Sequence, residues 1–172
     1  GRGEARRCGP FHTEGVGRYR ARGHRGGTEA DCRGRGGSSL GGLATLVLGL
    51  WFPQVFGRLA VMSPSIWWDD CAIYRLVDEL AEKPPLKIWL DTGTHEPGWE
   101  RAAVLRDKLV DKGWRLYDDP QFPEVEGGEP SEGPWPARYE EVLRFLDPPP
   151  PPRNQRRHLR PLLCPAGPTP GA

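Results

Sequence analysis

A serine flanked by glycines stands at the head of an apolar run. The stretch 37–42 reads GSSLGG, so Ser39 lies between Gly37 and Gly41, and the apolar run follows to Trp51. A Gly-x-Ser-x-Gly turn between a strand and a helix holds the serine hydroxyl out to solvent, where it can attack a carbonyl carbon. The pattern makes Ser39 a candidate nucleophile. The alternative is a glycine-rich turn with an incidental serine.

The expected turn has a local physical basis. Small residues at Gly37 and Gly41 would relieve crowding in a strained turn. The N-terminus of the following helix would supply N–H donors and the positive end of the helix dipole. We therefore expect the amide of Leu40 to be one donor of an oxyanion hole, which stabilises the negative oxygen of a tetrahedral intermediate.

Helices and strands that could position this turn alternate along the chain. Leu40–Trp51 is apolar nearly all round, which is typical of a helix buried under a sheet. The segment 72–83 has its apolar residues at helical spacing, whereas 58–63 is a short apolar run between turn residues. The predicted helices are 40–51, 72–83, 99–113 and 137–146, and the predicted strands are 58–63, 86–93 and 114–118. This alternation predicts an α/β fold with a mostly parallel sheet flanked by helices on both faces.

Composition divides the chain into three parts. Residues 1–36 form a Gly/Arg-rich irregular segment with too few apolar residues for a periodic face, so we expect no stable element there. Residues 37–147 carry all the predicted elements. Residues 148–172 begin with a polyproline run and form a Pro/Arg-rich tail, for which we expect an extended or irregular chain.

Length, charge and cysteine content bound the function classes. The 172 residues suit one folded domain, and the net charge of +1 indicates no class of partner. The four cysteines lack CxxC spacing, so we expect unpaired thiols and no metal site. No apolar run is long enough for a membrane span and no signal peptide is seen, so the expected location is cytoplasmic. No cofactor is expected, and the oligomeric state stays open.

Four segments together resemble the C-terminal half of the putative-esterase family of α/β-hydrolases. They read GGSSLGGLATLVLGLWFPQVFGRLAVMSPSIWW, KIWLDTGTHE, GWRLY and EGGEPSEGPWPARYEEVLRFL, in the order of the family, between residues 36 and 146. The family includes esterase D-like, feruloyl-esterase-like and enterochelin-esterase-like enzymes. The resemblance implies a partial α/β-hydrolase fold and a serine hydrolase acting on a small-molecule carboxylic ester.

The resemblance also implies roles for single residues. Ser39 matches the family's nucleophile. Glu96, in DTGTHE just past a predicted strand, matches the place of the acid, with Asp91 at the strand end as the competing candidate. Pro130 stands in EGGEP where family members have the catalytic histidine. Because proline has no ring nitrogen and no proton to exchange, it cannot act as the general base.

Two consequences follow from Pro130. His95 is the only histidine in the segment 37–147, but it adjoins Glu96, and neighbours on a tight turn tend to point apart. The sequence therefore predicts an impaired esterase, with a catalytically inactive hydrolase-like remnant as the alternative. Only 37 residues precede Ser38 and they show no strand pattern, so we also expect the esterase to be truncated.

A binding protein of another class is the further alternative. Arg25–Gly27 and Arg33–Gly37 resemble arginine/glycine-rich RNA-binding segments. Such segments usually repeat many times with interleaved aromatic residues, and these do not. We therefore expect no nucleic acid partner.

The residues after the first predicted strand, 58–63, could shape a substrate site. Trp67 and Trp68 follow a strand end, where substrates enter such folds, so they are candidate substrate-binding residues for an aromatic or bulky ester. The alternative is that both tryptophans cover the core. Ser63 and Ser65, in the same stretch, have no base and no glycine turn and are expected to be loop residues.

Overall fold

In the computed structural model of this chain, the described residues are 29–115, 120–121, 124–125 and 135–148. A short 3-10 helix, Ala30–Cys32, comes first. The strands are β1 (Gly34–Ser39), β2 (Arg58–Pro64), β3 (Lys87–Gly93), β4 (Pro120–Gln121) and β5 (Glu124–Val125), and the helices are α1 (Leu40–Trp51), α2 (Trp68–Asp78), α3 (Trp99–Asp111) and α4 (Trp135–Leu146).

The strands form a parallel sheet in the order β1-β2-β3-β4, and β5 pairs with β3 beyond β4. In the register of β1 and β2, Gly34 lies opposite Arg58 and Ser38 opposite Met62, and the register then shifts so that Ser39 lies opposite Pro64. Because parallel strands end at the same edge, the last residues of β1, β2 and β3 meet there. The prediction of an α/β fold with a parallel sheet is confirmed.

Apolar side chains cover both faces of the sheet. On β2, Leu59 and Val61 point into a large buried cluster with residues of α1, α2 and α3. Ala60 and Met62 point to the other face, where they pack with Val142 and Leu146 of α4. Successive side chains of a buried strand point to opposite faces of the sheet, so helices cover both faces, as expected from the sequence.

The segment before Gly37 contains structure that the sequence did not predict. The expectation of no stable element is wrong for Ala30–Cys32 and for β1, which crosses the expected boundary at Gly36. Main-chain pairing with β2 holds this strand, so it does not need an apolar face of its own. A Cβ at Gly36 would lie 3.1 Å from the Cβ of Ala60, which shows how closely the two strands approach.

Three further differences concern single elements. Helix α2 begins at Trp68, earlier than predicted, and Asp69, Asp70 and Cys71 in its first turn have left-handed backbone with φ of 50°, 53° and 56°. It also ends at Asp78, five residues before the predicted end. Of the predicted strand 114–118, the first two residues lie outside any strand and the other three lie outside the described residues.

The cysteine expectation is corrected in part, since Cys32 is disulfide-bonded. The sequence shows spacing but not distance, so it could not predict this bond. Cys71 is a free, half-buried thiol. Within the described residues, every helix is too short or too polar to cross a bilayer.

Candidate active site

Ser39 has the backbone of a strained strand-to-helix turn. It is the last residue of β1 and directly precedes α1, with φ 53° and ψ −124°. An L-residue rarely adopts a positive φ, and such conformations cluster at functional sites because the surrounding fold has to enforce them. The turn predicted from Gly-x-Ser-x-Gly is therefore present in the fold.

The glycines of this turn differ in what they do. A Cβ at Gly37 would lie 2.6 Å from the carbonyl carbon of Gly41, and a Cβ at Gly42 would lie 2.8 Å from the carbonyl oxygen of Met62. A Cβ at Gly41 would meet nothing within 4 Å. The expected crowding is present at Gly37, but at Gly41 the expectation is wrong. Gly42, where α1 crosses β2, is the second position that excludes a side chain.

The Ser39 hydroxyl is paired with that of a second serine. The two Oγ atoms of Ser39 and Ser65 lie 3.0 Å apart, and either can donate the hydrogen bond. The amide of Ser65 also donates to the carbonyl of Ser39 at 3.1 Å. Ser65 is buried, whereas Ser39 is exposed. Leu40, the first residue of α1, is 47% exposed, and its amide is one of the helix N–H groups without an intrahelical acceptor.

Glu96 follows β3 and is held by two hydrogen bonds to one of its oxygens. The hydroxyl of Ser63 donates to Glu96 Oε1 at 2.6 Å, and the amide of Gly93 donates to the same oxygen at 3.0 Å. Ser63 lies in β2 and has a φ of 40°. The expectation that Ser63 is a loop residue without an acid or base partner is therefore wrong, because β2 and β3 end side by side.

Asp91 lies beneath this group rather than in the open site. Its side chain is fully buried; Oδ1 accepts from the amide of Ser63 at 3.2 Å, and Oδ2 accepts from the indole Nε1 of Trp89 at 2.8 Å. Glu96 and Asp91 thus approach Ser63 from different sides. This arrangement favours Glu96 over Asp91 as the carboxylate that a substrate could approach.

A cleft of about 410 Å³ opens over these residues. Its lining brings together Ser39 and Glu96 with Trp67, which is 55% exposed. Trp68 does not line the cleft, although its ring centroid lies 5.8 Å from that of Trp67. The cleft is lined by Ser39, Ser63, Pro64, Ser65, Ile66, Trp67, Thr92, Glu96, Pro97, Gly98, Trp99, Arg101 and Ala102.

Most lining residues were not identified from the sequence as parts of a site. The polar and aromatic ones among them are Ser63, Ser65, Thr92, Trp99 and Arg101. The signal that could have found Ser63, Ser65 and Thr92 is position, because they lie at or just beyond the carboxyl end of a parallel strand, where such sheets bind ligands. Trp99 and Arg101 lie in the first turn of α3, the helix that follows β3. Arg101 also accepts a hydrogen bond at its carbonyl from the Tyr74 hydroxyl at 2.8 Å.

No histidine lines the cleft in the part of the chain that the structure describes. His95 is exposed and is not among the lining residues, although its neighbour Glu96 is. Pro130 lies outside the described residues. The described residues therefore bring a serine and a carboxylate to one cleft without a base between them. They also contain no group of three or more His, Cys, Asp or Glu side chains that could hold a metal ion.

Comparisons with known proteins agree with the fold. The family model described as "Putative esterase" matches residues 23–112, more than half of the chain. This range includes Ser39, Leu40, Glu96 and every element from β1 to α3. It ends before Pro130.

Individual relatives match over part of their length. The chain is 32% identical over 82 residues to "Uncharacterized protein YbbA" of Bacillus subtilis (strain 168), covering 47% of this chain and 32% of that protein. The enterobactin esterase FES from Shigella flexneri superposes with a TM-score of 0.58 and 25% identity, over 69% of this chain and 32% of that one. The S-formylglutathione hydrolase FrmB from Staphylococcus aureus superposes with a TM-score of 0.61 and 17% identity, over 77% of this chain and 58% of that one. The chain thus spans about a third of the length of the first two.

Proposed function

The chain belongs to the "Putative esterase" family, and from this premise we propose that it is a serine-type carboxylic ester hydrolase with an impaired rate. One observation carries the proposal. Ser39 stands in the strained strand-to-helix turn and lines a cleft together with Glu96. The substrate would be a small-molecule ester.

Ser39 and Leu40 would act on the ester carbonyl. Ser39 Oγ adds to the carbonyl carbon, the hydroxyl proton goes to a base or to water, and the amide of Leu40 donates to the oxyanion. Collapse of this intermediate releases the alcohol and leaves an acyl group on Ser39. Water then hydrolyses the acyl group, so one ester and one water give one acid and one alcohol.

Glu96 would supply the acid of a triad that lacks its middle member. A triad carboxylate orients the base and stabilises its protonated form, but Pro130 cannot be that base. General-base assistance is worth about 10²–10⁴-fold in rate. We therefore propose that hydrolysis proceeds slowly, with water taking the serine proton. An inactive remnant is the second candidate, favoured by the lack of a histidine among the described residues that line the cleft.

The cleft walls bear on the ester that would fit. Trp67, Trp99 and Pro97 line the cleft together with Ser39. Flat apolar groups pack well against indole. We propose an ester whose acid or alcohol part is aromatic or bulky. Trp68, which does not line the cleft, is left as a neighbour that contacts Trp67.

The RNA-binding alternative receives no support from the described residues. Arg25–Gly27 lies outside them, whereas the stretch Arg33–Gly37 contributes most of β1. Within β1, the guanidinium carbon of Arg35 lies 6.0 Å from the centre of the Phe56 ring. A segment paired into a sheet cannot wrap a single strand as a flexible arginine/glycine segment does.

Hydrolysis of p-nitrophenyl butyrate tests the proposed function, together with labelling of the chain by a fluorophosphonate. We expect slow turnover and a label on Ser39, both lost in Ser39→Ala and both kept in Ser38→Ala. Ser38 is a matched control because it is the adjacent serine and does not line the cleft. An unlabelled chain whose turnover is the same in Ser39→Ala would establish the inactive remnant instead.

A further inference from the structure

Two serines on either side of Pro64 each bond to one member of the proposed catalytic pair. The hydroxyl of Ser63 bonds to Glu96, and that of Ser65 bonds to Ser39. We propose that the turn Ser63-Pro64-Ser65 is a positioning element of the active site, in which Ser63 fixes the acid and Ser65 fixes the nucleophile. This inference rests on the proposed function and names two residues that act through others.

The Ser63 backbone is held in place from the interior of the protein. Its φ of 40° is unfavourable for a residue with a side chain, so surrounding contacts have to maintain it. The buried carboxylate of Asp91 accepts from the Ser63 amide, and Trp89 fixes that carboxylate in turn. The strained backbone aims the Ser63 hydroxyl at Glu96.

The bond from Ser63 determines which way Glu96 faces. Oε1 accepts from both the Ser63 hydroxyl and the Gly93 amide, whereas Oε2 accepts no hydrogen bond from the described residues. Two donors on one oxygen fix the carboxylate plane more firmly than either donor alone. Hydrogen bonds to a charged acceptor are also shorter and stronger than neutral ones, in agreement with the 2.6 Å distance.

Ser65 makes the corresponding contact with the nucleophile. Its side chain is 5% exposed, so its hydroxyl has little access to water and its bond to Ser39 Oγ is not readily exchanged. The Ser65 amide donates separately to the Ser39 carbonyl, which joins the two turns through their main chains. The main chains of Ser65 and Ser39 are therefore already joined, and the Ser65 hydroxyl in addition orients the Ser39 side chain.

Pro64 joins the two serines with a fixed geometry. Proline restricts its own φ to about −65°, and Pro64 lies opposite Ser39 in the register of β1 and β2. The direction of one hydroxyl is thus set relative to the other. A change on one side of Pro64 should leave the contact on the other side intact.

The rate at which a fluorophosphonate labels Ser39, followed by mass spectrometry, tests the proposal. In this reaction the Ser39 oxygen bonds to phosphorus, fluoride leaves, and the hydroxyl proton goes to solvent. The full chain is compared with Ser63→Ala, Ser63→Gly, Ser65→Ala and Glu96→Gln, and with the doubles Ser63→Ala/Glu96→Gln and Ser65→Ala/Glu96→Gln. Circular dichroism and urea unfolding monitor the fold of each variant.

We expect both Ser63 variants to label Ser39 about tenfold more slowly, a change that corresponds to about 1.4 kcal/mol. Glycine tolerates the positive φ, so Ser63→Gly removes the hydroxyl without adding backbone strain. This variant still tests the proposal if Ser63→Ala does not fold. In the Glu96→Gln background, Ser63→Ala should lower the rate less than twofold, because Ser63 acts through Glu96, whose carboxylate in the same cleft would orient the water that takes the Ser39 proton. Ser65→Ala should also slow the labelling of Ser39, and by the same factor with Glu96 as with Gln at position 96, because Ser65 bonds to Ser39 directly.

Two results would overturn the positioning role while leaving the nucleophile in place. One is wild-type labelling of Ser39 in Ser63→Gly or in Ser65→Ala. The other is a full, additive effect of Ser63→Ala in the Glu96→Gln background. A chain in which Ser39 is never labelled would overturn the proposed function as well, so the two failures are distinguishable.

Discussion

The indole Nε1 of Trp89 donates a 2.8 Å hydrogen bond to the carboxylate of Asp91, two residues further along β3. Asp91 is fully buried and also accepts from the amide of Ser63. A buried donor that loses its acceptor costs about 1–3 kcal/mol. We therefore expect Asp91→Ala, which leaves two such donors without their partner, to lower the free energy of unfolding in urea by about 2–4 kcal/mol.

A surface aspartate provides the control for Asp91. Asp78 Oδ2 accepts from Lys108 Nζ at 2.6 Å, but its side chain is 51% exposed. Exposed ion pairs contribute about 0–1 kcal/mol. Asp78→Ala should change the free energy of unfolding by no more than this, and an equal loss for the two variants would contradict the structural role of Asp91.

Alanine at two adjacent glycines of α1 should have opposite effects. The Cβ of Gly42→Ala would lie 2.8 Å from the Met62 carbonyl oxygen, so β2 and α1 must separate. The Cβ of Gly41→Ala would meet nothing within 4 Å, and alanine stabilises a helix by about 0.5–1 kcal/mol relative to glycine. In urea unfolding, Gly42→Ala should be less stable than the original chain, and Gly41→Ala equally or more stable. If Gly41→Ala were the less stable of the two variants, the close approach of α1 to β2 would not lie at Gly42.

Glycine at position 39 should stabilise the fold while removing the proposed nucleophile. A positive φ in a residue with a Cβ costs about 1–3 kcal/mol, and Ser39 has a φ of 53°. We expect Ser39→Gly to raise the free energy of unfolding by about 1 kcal/mol relative to Ser39→Ala, which lacks the hydroxyl but keeps the Cβ. Thermal unfolding of the pair measures this difference. Equal stabilities of Ser39→Gly and Ser39→Ala would mean that the positive φ at position 39 carries no strain.

The stability of the fold should decrease at high pH because of Tyr74. Desolvation by burial, with a smaller contribution from Cys71, raises the pKa of Tyr74 from 10.0 to about 12. A group with a raised pKa in the folded state stabilises that state fully below pH 10 and loses this contribution as the pH rises towards 12. The free energy of unfolding of the original chain should therefore fall more steeply between pH 10 and 12 than that of Tyr74→Phe. Parallel curves would contradict this pKa shift.

Histidine at position 130 should raise esterase activity that depends on Ser39. We expect Pro130 to stand at the base position of the family, and a general base is worth about 10²–10⁴-fold. An increase in p-nitrophenyl butyrate turnover is expected for Pro130→His and not for Pro130→Ala. It should disappear in Ser39→Ala/Pro130→His. A folded Pro130→His protein with no gain would show that this position does not approach Ser39.

The sequence by itself determined the alternation of elements and the position of the turn. The helix Leu40–Trp51 and strands within one or two residues of Arg58–Pro64 and Lys87–Gly93 followed from apolar periodicity bounded by glycine and proline, because these are local properties of the chain. The Gly-x-Ser-x-Gly motif and its companion segments were equally visible, and the family match over residues 23–112 covers the motif and the segment KIWLDTGTHE.

Only the tertiary structure decided which side chains meet. Strand β1 is too rich in glycine to be predicted from periodicity, yet it forms because β2 supplies its main-chain partners. The contacts of Ser39 with Ser65 and of Ser63 with Glu96 join residues 26 and 33 positions apart. They exist because parallel strands end at a common edge. No local pattern encodes such distances, so the neighbours of the nucleophile and of the acid became known only from the folded chain.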